Sequence, residues 1–221
     1  MSRTATNPGV RTRVWDLPTR LFHWTLAALV IFSVVTIKLG GNWIEWHFRS
    51  GYAILTLLLF RLLWGFAGSH YARFASFVRG PRAVVDYLRG RVAHAAGHNP
   101  LGALSVLAML ALLLSQASTG LFANDGSYTE GPLAKFISGS LSNLLTSLHK
   151  NGEYVLYGLV GLHVAAIVYY AVARRERLVP AMVTGDQPVN APAARDDLML
   201  RLRALLLLAL CAGVVAYVVT R

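Results

Sequence analysis

Five long apolar runs constrain the fold of this chain more than any other feature. They cover residues 21–37, 52–68, 100–122, 154–173 and 204–220. Each is close to the ~20 residues that a helix needs to cross a bilayer, and a helix satisfies its own backbone polar groups in lipid. Only 14% of the residues are charged, against about 25% in soluble domains. The sequence therefore predicts an all-α integral membrane protein, with a four-helix transmembrane bundle and a fifth C-terminal transmembrane helix.

The basic residues are distributed unevenly between the connecting segments, and this predicts the orientation. With a cytoplasmic N-terminus, segments 1–20, 69–100 and 174–203 lie inside and carry fifteen Lys and Arg, against five outside. Cytoplasmic segments normally carry this excess, so we expect the N-terminus inside and the C-terminus outside. The net charge of +11 does not indicate nucleic-acid binding, because the basic residues lie between apolar runs and not on one solvated face.

Cysteine usage limits the metal chemistry. The chain contains one cysteine, Cys211, which lies in an apolar run, and it has no C-x-x-C-H motif. A single cysteine excludes a disulfide framework within the chain and a thiolate metal cluster. Any haem is therefore expected to bind without covalent attachment.

Four of the seven histidines fall at matched depths on the predicted spans. His149 and His163 are fourteen residues apart on the fourth span, so they lie within about 40° of one helix face and about 21 Å apart along it. His47 lies at the outer boundary, level with His149. His23 lies about 21 Å below that boundary, level with His163. The spacing predicts two level pairs, 47 with 149 and 23 with 163.

Each predicted pair suits a low-spin haem iron, which takes two imidazoles from opposite sides, and helical bundles hold haem between their helices. An ionisable residue inside a membrane span is also expected to be functional. We therefore expect two non-covalent haems b in the bundle. The alternative is four core histidines with hydrogen bonds to the backbone. Zinc or copper is less favoured, because no carboxylate or thiolate accompanies either pair.

Two more residues are candidates for contact with haem. Arg61 lies in the second span, fourteen residues after His47, and pairing with a haem propionate would offset its desolvation; the alternative is snorkelling to the inner surface. His98 precedes the third span on the cytoplasmic side. It is expected to bond a propionate or to occupy a loop, with axial ligation less favoured. His70 and His94 are expected in loops.

The connecting segments are predicted to be partly ordered. Residues 83–91 are expected to form a short surface helix and residues 133–148 an amphipathic helix. Pro, Gly and Ala make residues 180–196 a predicted linker. The resulting domain prediction is a di-haem membrane domain over residues 1–179 and an additional transmembrane helix over 197–221.

Several motifs together resemble the bacterial cytochrome b561 family, which includes the b-type cytochrome subunits of membrane-bound nickel–iron hydrogenases. Residues 14–24, Val-Trp-Asp-Leu-Pro-Thr-Arg-Leu-Phe-His-Trp, resemble its opening segment. His47 with Gly51 and Arg-Leu-Leu-Trp-Gly at 61–65 resemble its second helix. Gly-His-Asn-Pro-Leu-Gly at 97–102 resembles the start of its third helix.

The fourth span completes the resemblance, with Leu-His at 148–149 and Gly-Leu-His at 161–163. The likeness covers about residues 14–185. It implies a four-helix core, two non-covalent haems b, and electron exchange with quinone or a redox partner. It also implies ligand roles for four histidines: His23, His47, His149 and His163.

These features predict transmembrane electron transfer in a bacterial inner membrane, between a quinone pool and an outer-side redox partner. That partner is expected to be a dehydrogenase, a hydrogenase or a c-type cytochrome. The alternatives are a stand-alone quinone oxidoreductase that uses a small reductant such as superoxide, and a non-redox membrane anchor or metal transporter. Membrane lipid is an expected partner. The sequence leaves open whether the protein is an enzyme in its own right and whether it forms a homo-oligomer.

Overall fold

The computed structural model describes residues 11–91, 96–126 and 129–221. In chain order its elements are β1 (Thr12–Arg13), α1 (Leu17–Leu39), α2 (Ile44–Ala67), α3 (Phe74–Phe77), α4 (Pro81–Leu88), α5 (Pro100–Gly120), α6 (Gly139–Val172), α7 (Leu178–Thr184), β2 (Asp186–Gln187) and α8 (Leu198–Val219). Short 3₁₀ helices lie at Gly41–Trp43, His70–Ala72 and Ala134–Phe136. Helices α1, α2, α5, α6 and α8 are long and apolar enough to cross a membrane, which confirms the predicted membrane fold with five spans.

The start of α1 is fixed by a buried cap. Asp16 is fully buried, and its Oδ1 accepts a hydrogen bond from the Thr19 backbone N–H at 2.7 Å. The other carboxylate oxygen accepts from Trp64 Nε1 on α2 at 3.3 Å. A capping carboxylate satisfies an otherwise unpaired N–H of the first turn. Here it also attaches the beginning of α1 to α2.

The structure corrects the predicted bounds of the amphipathic helix at 133–148. Ala134–Phe136 forms only a 3₁₀ turn, and α6 then begins at Gly139 and continues for 34 residues without a break. Ser138 caps α6, and its Oγ accepts from the Leu141 N–H at 3.3 Å. No proline interrupts the helix after this cap, so the amphipathic segment and the fourth span are one helix. The short surface helix predicted at 83–91 is present as α4, but it begins at Pro81 and ends at Leu88.

The main helix contacts are α1 with α2, α5 with α6, and α2 with both α5 and α8. The core between them is apolar, and Leu58 and Trp64 of α2 are fully buried there. Helix α8 contributes residues spaced by four and seven positions, which is one face of a helix. These buried residues are Leu200, Ala204, Cys211 and Val215. The fifth span is therefore packed on α2.

The segment predicted as a linker, 180–196, is in contact with the start of the chain. β2 pairs antiparallel with β1, and Thr12 lies opposite Gln187. A buried cluster joins this segment to the residues before α1 and to the 3₁₀ turn after α2: Val14, Trp15, Tyr71, Ala181 and Ala194. The division into a 1–179 domain and an additional helix stays a prediction.

Candidate haem sites

The structure brings His47 of α2 and His149 of α6 together, and we call this pair the His47 site. Their ring centroids are 6.1 Å apart and the rings are inclined by 77°. His47 Nδ1 lies 3.0 Å from the backbone oxygen of Ser33 and 3.0 Å from its Oγ. His149 Nδ1 lies 2.9 Å from the backbone oxygen of Gln116. A carbonyl can only accept, so each Nδ1 carries the proton and each Nε2 keeps its lone pair for a metal.

His23 of α1 and His163 of α6 form the second pair, which we call the His23 site. Their ring centroids are 6.5 Å apart and the rings are inclined by 50°. His23 Nδ1 is buried and has no hydrogen-bond partner among the described residues. Trp24 packs edge-on against the His23 ring, with centroids 4.9 Å apart. This histidine is therefore held by packing.

Both separations fit an imidazole–iron–imidazole arrangement. Two metal–nitrogen bonds of about 2 Å and two ring radii of about 1 Å require about 6 Å between ring centroids. The ligands of each pair come from different helices, as a macrocycle between helices requires. No group of three or more His, Cys, Asp and Glu side chains suited to a metal ion occurs in the described part of the chain. The donor sets therefore fit haem better than a four-coordinate zinc.

The His47 site opens into a cavity between α1, α2, α5 and α6. Both histidines line it, and its open space, including the part continuous with the surface, is about 1270 Å³. Gly51, one turn after His47, lies on its wall, and a Cβ placed there would meet no atom within 4 Å. Its lining also includes polar side chains, among them Lys150 and Glu153. Space for a flat cofactor is therefore present beside the His47 ring.

Two residues of α5 shape this site and are absent from the sequence predictions. A Cβ on Gly120 would lie 3.0 Å from Cε1 of His149, so the glycine lets the imidazole pack against α5. Gln116 supplies the backbone acceptor for His149, and its Nε2 donates to the His149 backbone oxygen at 3.0 Å. The sequence signal for both is weak, because a glycine and a backbone carbonyl near a helix end are ordinary features.

Arg61 is buried inside the protein, with only 3% of its surface exposed. Its guanidinium carbon lies 4.9 Å from the Phe74 ring centroid, and one guanidinium nitrogen, Nη1, is buried with no hydrogen-bond partner among the described residues. The side chain therefore does not snorkel to the surface. The pairing of Arg61 with a haem propionate stays a prediction. The unpaired nitrogen gives a physical reason for it, because a propionate would supply the missing acceptor.

His98 lies between the rings of Trp15 and Phe77, at centroid distances of 4.7 and 4.6 Å. Its Nδ1 is buried with no partner in the described ranges. Burial, with smaller contributions from the charges of Arg61 and His23, lowers the pKa of His98 to about 3. His98 is therefore neutral at pH 7 and close to the His23 site, while its contact with haem stays a prediction.

The remaining two histidines are not part of either pair. His70 is itself exposed, at the start of a 3₁₀ turn whose other two residues are buried, in keeping with the expected loop position. His94, which was also predicted in a loop, lies outside the described residues.

Comparisons with known proteins agree with this architecture. A family model described as prokaryotic cytochrome b561 matches residues 14–185. A probable Ni/Fe-hydrogenase B-type cytochrome subunit of Azotobacter chroococcum mcd 1 is 26% identical over 208 residues, 78% of this chain and 86% of the relative. The protein of the same name from Cupriavidus necator is 26% identical over 210 residues, 79% of this chain and 86% of the relative.

A third relative of that name, from Bradyrhizobium diazoefficiens, is 22% identical over 209 residues, 79% of this chain and 85% of the relative. No solved structure gives a significant match. The extent of the family match, which includes all four paired histidines, confirms the resemblance predicted from the motifs. The chain thus belongs to the prokaryotic cytochrome b561 family of b-type, membrane-spanning electron-transfer proteins.

Proposed function

We propose that this protein carries electrons across the bacterial inner membrane through two bis-histidine haems b, one at the His47 site and one at the His23 site. The observation that carries the proposal is the pair of ring separations, 6.1 and 6.5 Å, in a chain of this family. Bound haem supplies reversible one-electron chemistry at iron. The protein supplies the axial imidazoles, their orientation and the charge around them.

Helix α6 connects the two sites. His149 and His163 are fourteen residues apart on this helix, which corresponds to about 21 Å along its axis. The helix therefore holds one ligand of each site at a fixed separation. At the His47 site, backbone carbonyls orient the imidazoles. At the His23 site, we propose that the unpaired nitrogens of Arg61 and His98 bind the propionates, with the His98 proton on Nδ1. This would satisfy buried polar nitrogens that otherwise carry a desolvation cost.

The proposed orientation places the N-terminus in the cytoplasm and the C-terminus outside. It rests on the excess of Lys and Arg in the connecting segments that share a side of the membrane with the N-terminus. The His47 site then lies toward the outer surface, and its cavity is lined in part by polar residues. Relatives named as hydrogenase cytochrome subunits support a hydrogenase as the outer-side redox partner. We propose the quinone pool as the second redox partner.

The test begins with the purified full-length protein in detergent. We expect a red preparation with reduced spectra of six-coordinate b-type haem and two haems per chain. His47→Ala and His149→Ala should remove the same haem, and His23→Ala and His163→Ala the other, because each pair shares one iron. The exposed His70 offers a control, and His70→Ala should keep both haems.

Three outcomes would count against the proposal. A colourless protein expressed with haem available would favour the membrane-anchor or transporter alternative. Loss of the same haem from His47→Ala and His163→Ala would contradict the pairing. Reduction of quinone by superoxide without any partner protein would instead favour the stand-alone oxidoreductase.

A further inference from the structure

The segment between α6 and α8 makes more contacts than a linker needs. We call residues 178–196 the strap; it contains α7, β2 and the extended residues that follow. The family model matches residues 14–185, so the second half of the strap lies outside the match. The family match therefore says nothing about the function of that half.

The strap binds the chain on both sides of His23. Gly185 O accepts from the backbone N–H groups of Val14 and Trp15, at 2.8 and 3.0 Å. Arg20, three residues before His23, donates to Val183 O at 2.7 Å. Trp24, the residue after His23, donates from Nε1 to Met182 O at 3.3 Å. The first two turns of α1 are therefore attached to the strap.

Asp196 is the ionic centre of the strap. Its side chain is only 7% exposed and accepts from Arg13 at 2.9 Å and Arg201 at 3.1 Å. It also accepts from the Leu17 backbone N–H at 3.2 Å, and Arg20 lies 3.9 Å away. One carboxylate thus joins the segment before α1, the first turn of α1 and the first turn of α8. Hydrogen bonds to charged groups are among the stronger ones in proteins.

The same strap reaches the other residues around the His23 site. Trp15, which donates to Gly185 O, packs at 4.7 Å against the His98 ring. Gln187 Oε1 accepts from the Gly97 N–H at 3.2 Å, next to His98. Pro192 O accepts from Tyr71 Oη at 2.7 Å. The His47 site has a different support, since its imidazoles bond to carbonyls of α1 and α5.

From these contacts we infer that the strap is a positioning element for the His23 site, with Asp196 as its central positioning residue. The inference rests on the proposed function, because it requires a haem between His23 and His163. Metal-ligating histidines usually depend on a hydrogen bond for their orientation. His23 Nδ1 has no such bond in the described structure, and the strap fixes its backbone and its Trp24 neighbour instead.

Gly185 gives the sharper of two tests. It has a φ of +91°, and a Cβ there would lie 2.6 Å from the Trp15 backbone oxygen, so Gly185→Ala must shift the strap away from Trp15. Gly213 of α8 gives a matched control, because a Cβ there would meet nothing within 4 Å. We expect Gly185→Ala to shift the midpoint potential and reduced spectrum of the His23-site haem, or to lose that haem. Gly213→Ala should match the wild type.

The second test removes the charge of Asp196 with little change in its shape. Asp196→Asn should loosen the contacts to Arg13 and Arg201 and give the same selective change at the His23-site haem. The neighbouring Asp197 is 48% exposed and caps α8 by accepting from the Leu200 N–H at 2.8 Å. Because asparagine caps helices as well as aspartate does, Asp197→Asn is the matched control and should leave both haems unchanged.

The outcomes separate this inference from the proposed function. A wild-type protein with no haem overturns the proposed function. Two wild-type haems, with both unchanged in Gly185→Ala and Asp196→Asn, overturn the role of the strap and leave the proposed function standing. Equal loss of haem from both sites also overturns the role of the strap, because such a loss indicates general destabilisation of the protein. The His47-site haem serves as the internal measure of folding. If Gly185→Ala does not fold, the result for Asp196→Asn alone tests the role of the strap.

Discussion

The two histidine sites are similar in ring separation and differ in what surrounds them. At the His47 site, Nδ1 of each imidazole has a backbone carbonyl within 3.0 Å. At the His23 site, His23 Nδ1 is buried without a partner in the described ranges, and the buried Arg61 and His98 lie on the same side of the bundle. One site is thus organised by local backbone acceptors, and the other by packing, buried cationic and polar groups, and the strap.

This difference predicts different redox properties for the two proposed haems, which would have the same ligand set. An Nδ1–H bond to a carbonyl raises the basicity of the imidazole, which favours oxidised iron and lowers the midpoint potential. A buried cation has the opposite effect, because it favours the form with one more electron. We therefore expect the His23-site haem to have the higher midpoint potential.

The largest effect in this comparison should come from Arg61. At an effective dielectric constant of about 20, a unit charge about 8–15 Å away contributes roughly 1–2 kcal/mol, or about 50–90 mV for one electron. Arg61→Gln should therefore lower the potential of the His23-site haem by about that amount in a redox titration.

Two controls distinguish charge from shape. Arg61→Lys keeps the charge and should restore most of the potential. Arg49→Gln removes an exposed cation that pairs with Glu45 at 2.8 Å, and it should leave the His23-site potential unchanged. An unchanged midpoint potential of the His23-site haem in Arg61→Gln would show that Arg61 does not cause the difference between the two sites.

A smaller effect is expected from Gly120→Ala at the other site. The added methyl would lie 3.0 Å from His149 Cε1, so the ring must move by a few tenths of an ångström. Mild overpacking costs about 1 kcal/mol, so haem should leave the His47 site roughly fivefold faster when transferred to an apo-globin acceptor. The His23-site haem provides the internal control, and equal release from both sites would contradict a local effect.

The smallest effect is expected from Ser33→Ala. The substitution removes the Oγ that lies 3.0 Å from His47 Nδ1 but keeps the backbone oxygen at the same distance. Since the main acceptor remains, the His47-site potential should change by less than about 20 mV, or about 0.5 kcal/mol. A larger shift would mean that the hydroxyl, and not the carbonyl, orients the imidazole.

The sequence alone determined the membrane fold and predicted the depth of each candidate ligand. Apolar length sets the spans, because lipid cannot satisfy a free backbone. Helical rise then converts residue spacing into depth, which placed His47 level with His149 and His23 level with His163 before any helix contact was known. The family motifs contain these four histidines, so the resemblance and the spacing selected the same residues.

Only the tertiary structure decided how these side chains are held. Helix packing decides that the carbonyls of Ser33 and Gln116 face the imidazoles and that His149 packs against Gly120. It also decides that Arg61 is buried. The strap shows this most clearly, since Asp196 contacts Arg13 across a separation of 183 residues. Proline and glycine content predicted a linker there, because local composition reports backbone preference. It carries no information about a partner so distant in the sequence, and only the folded chain brings that partner close.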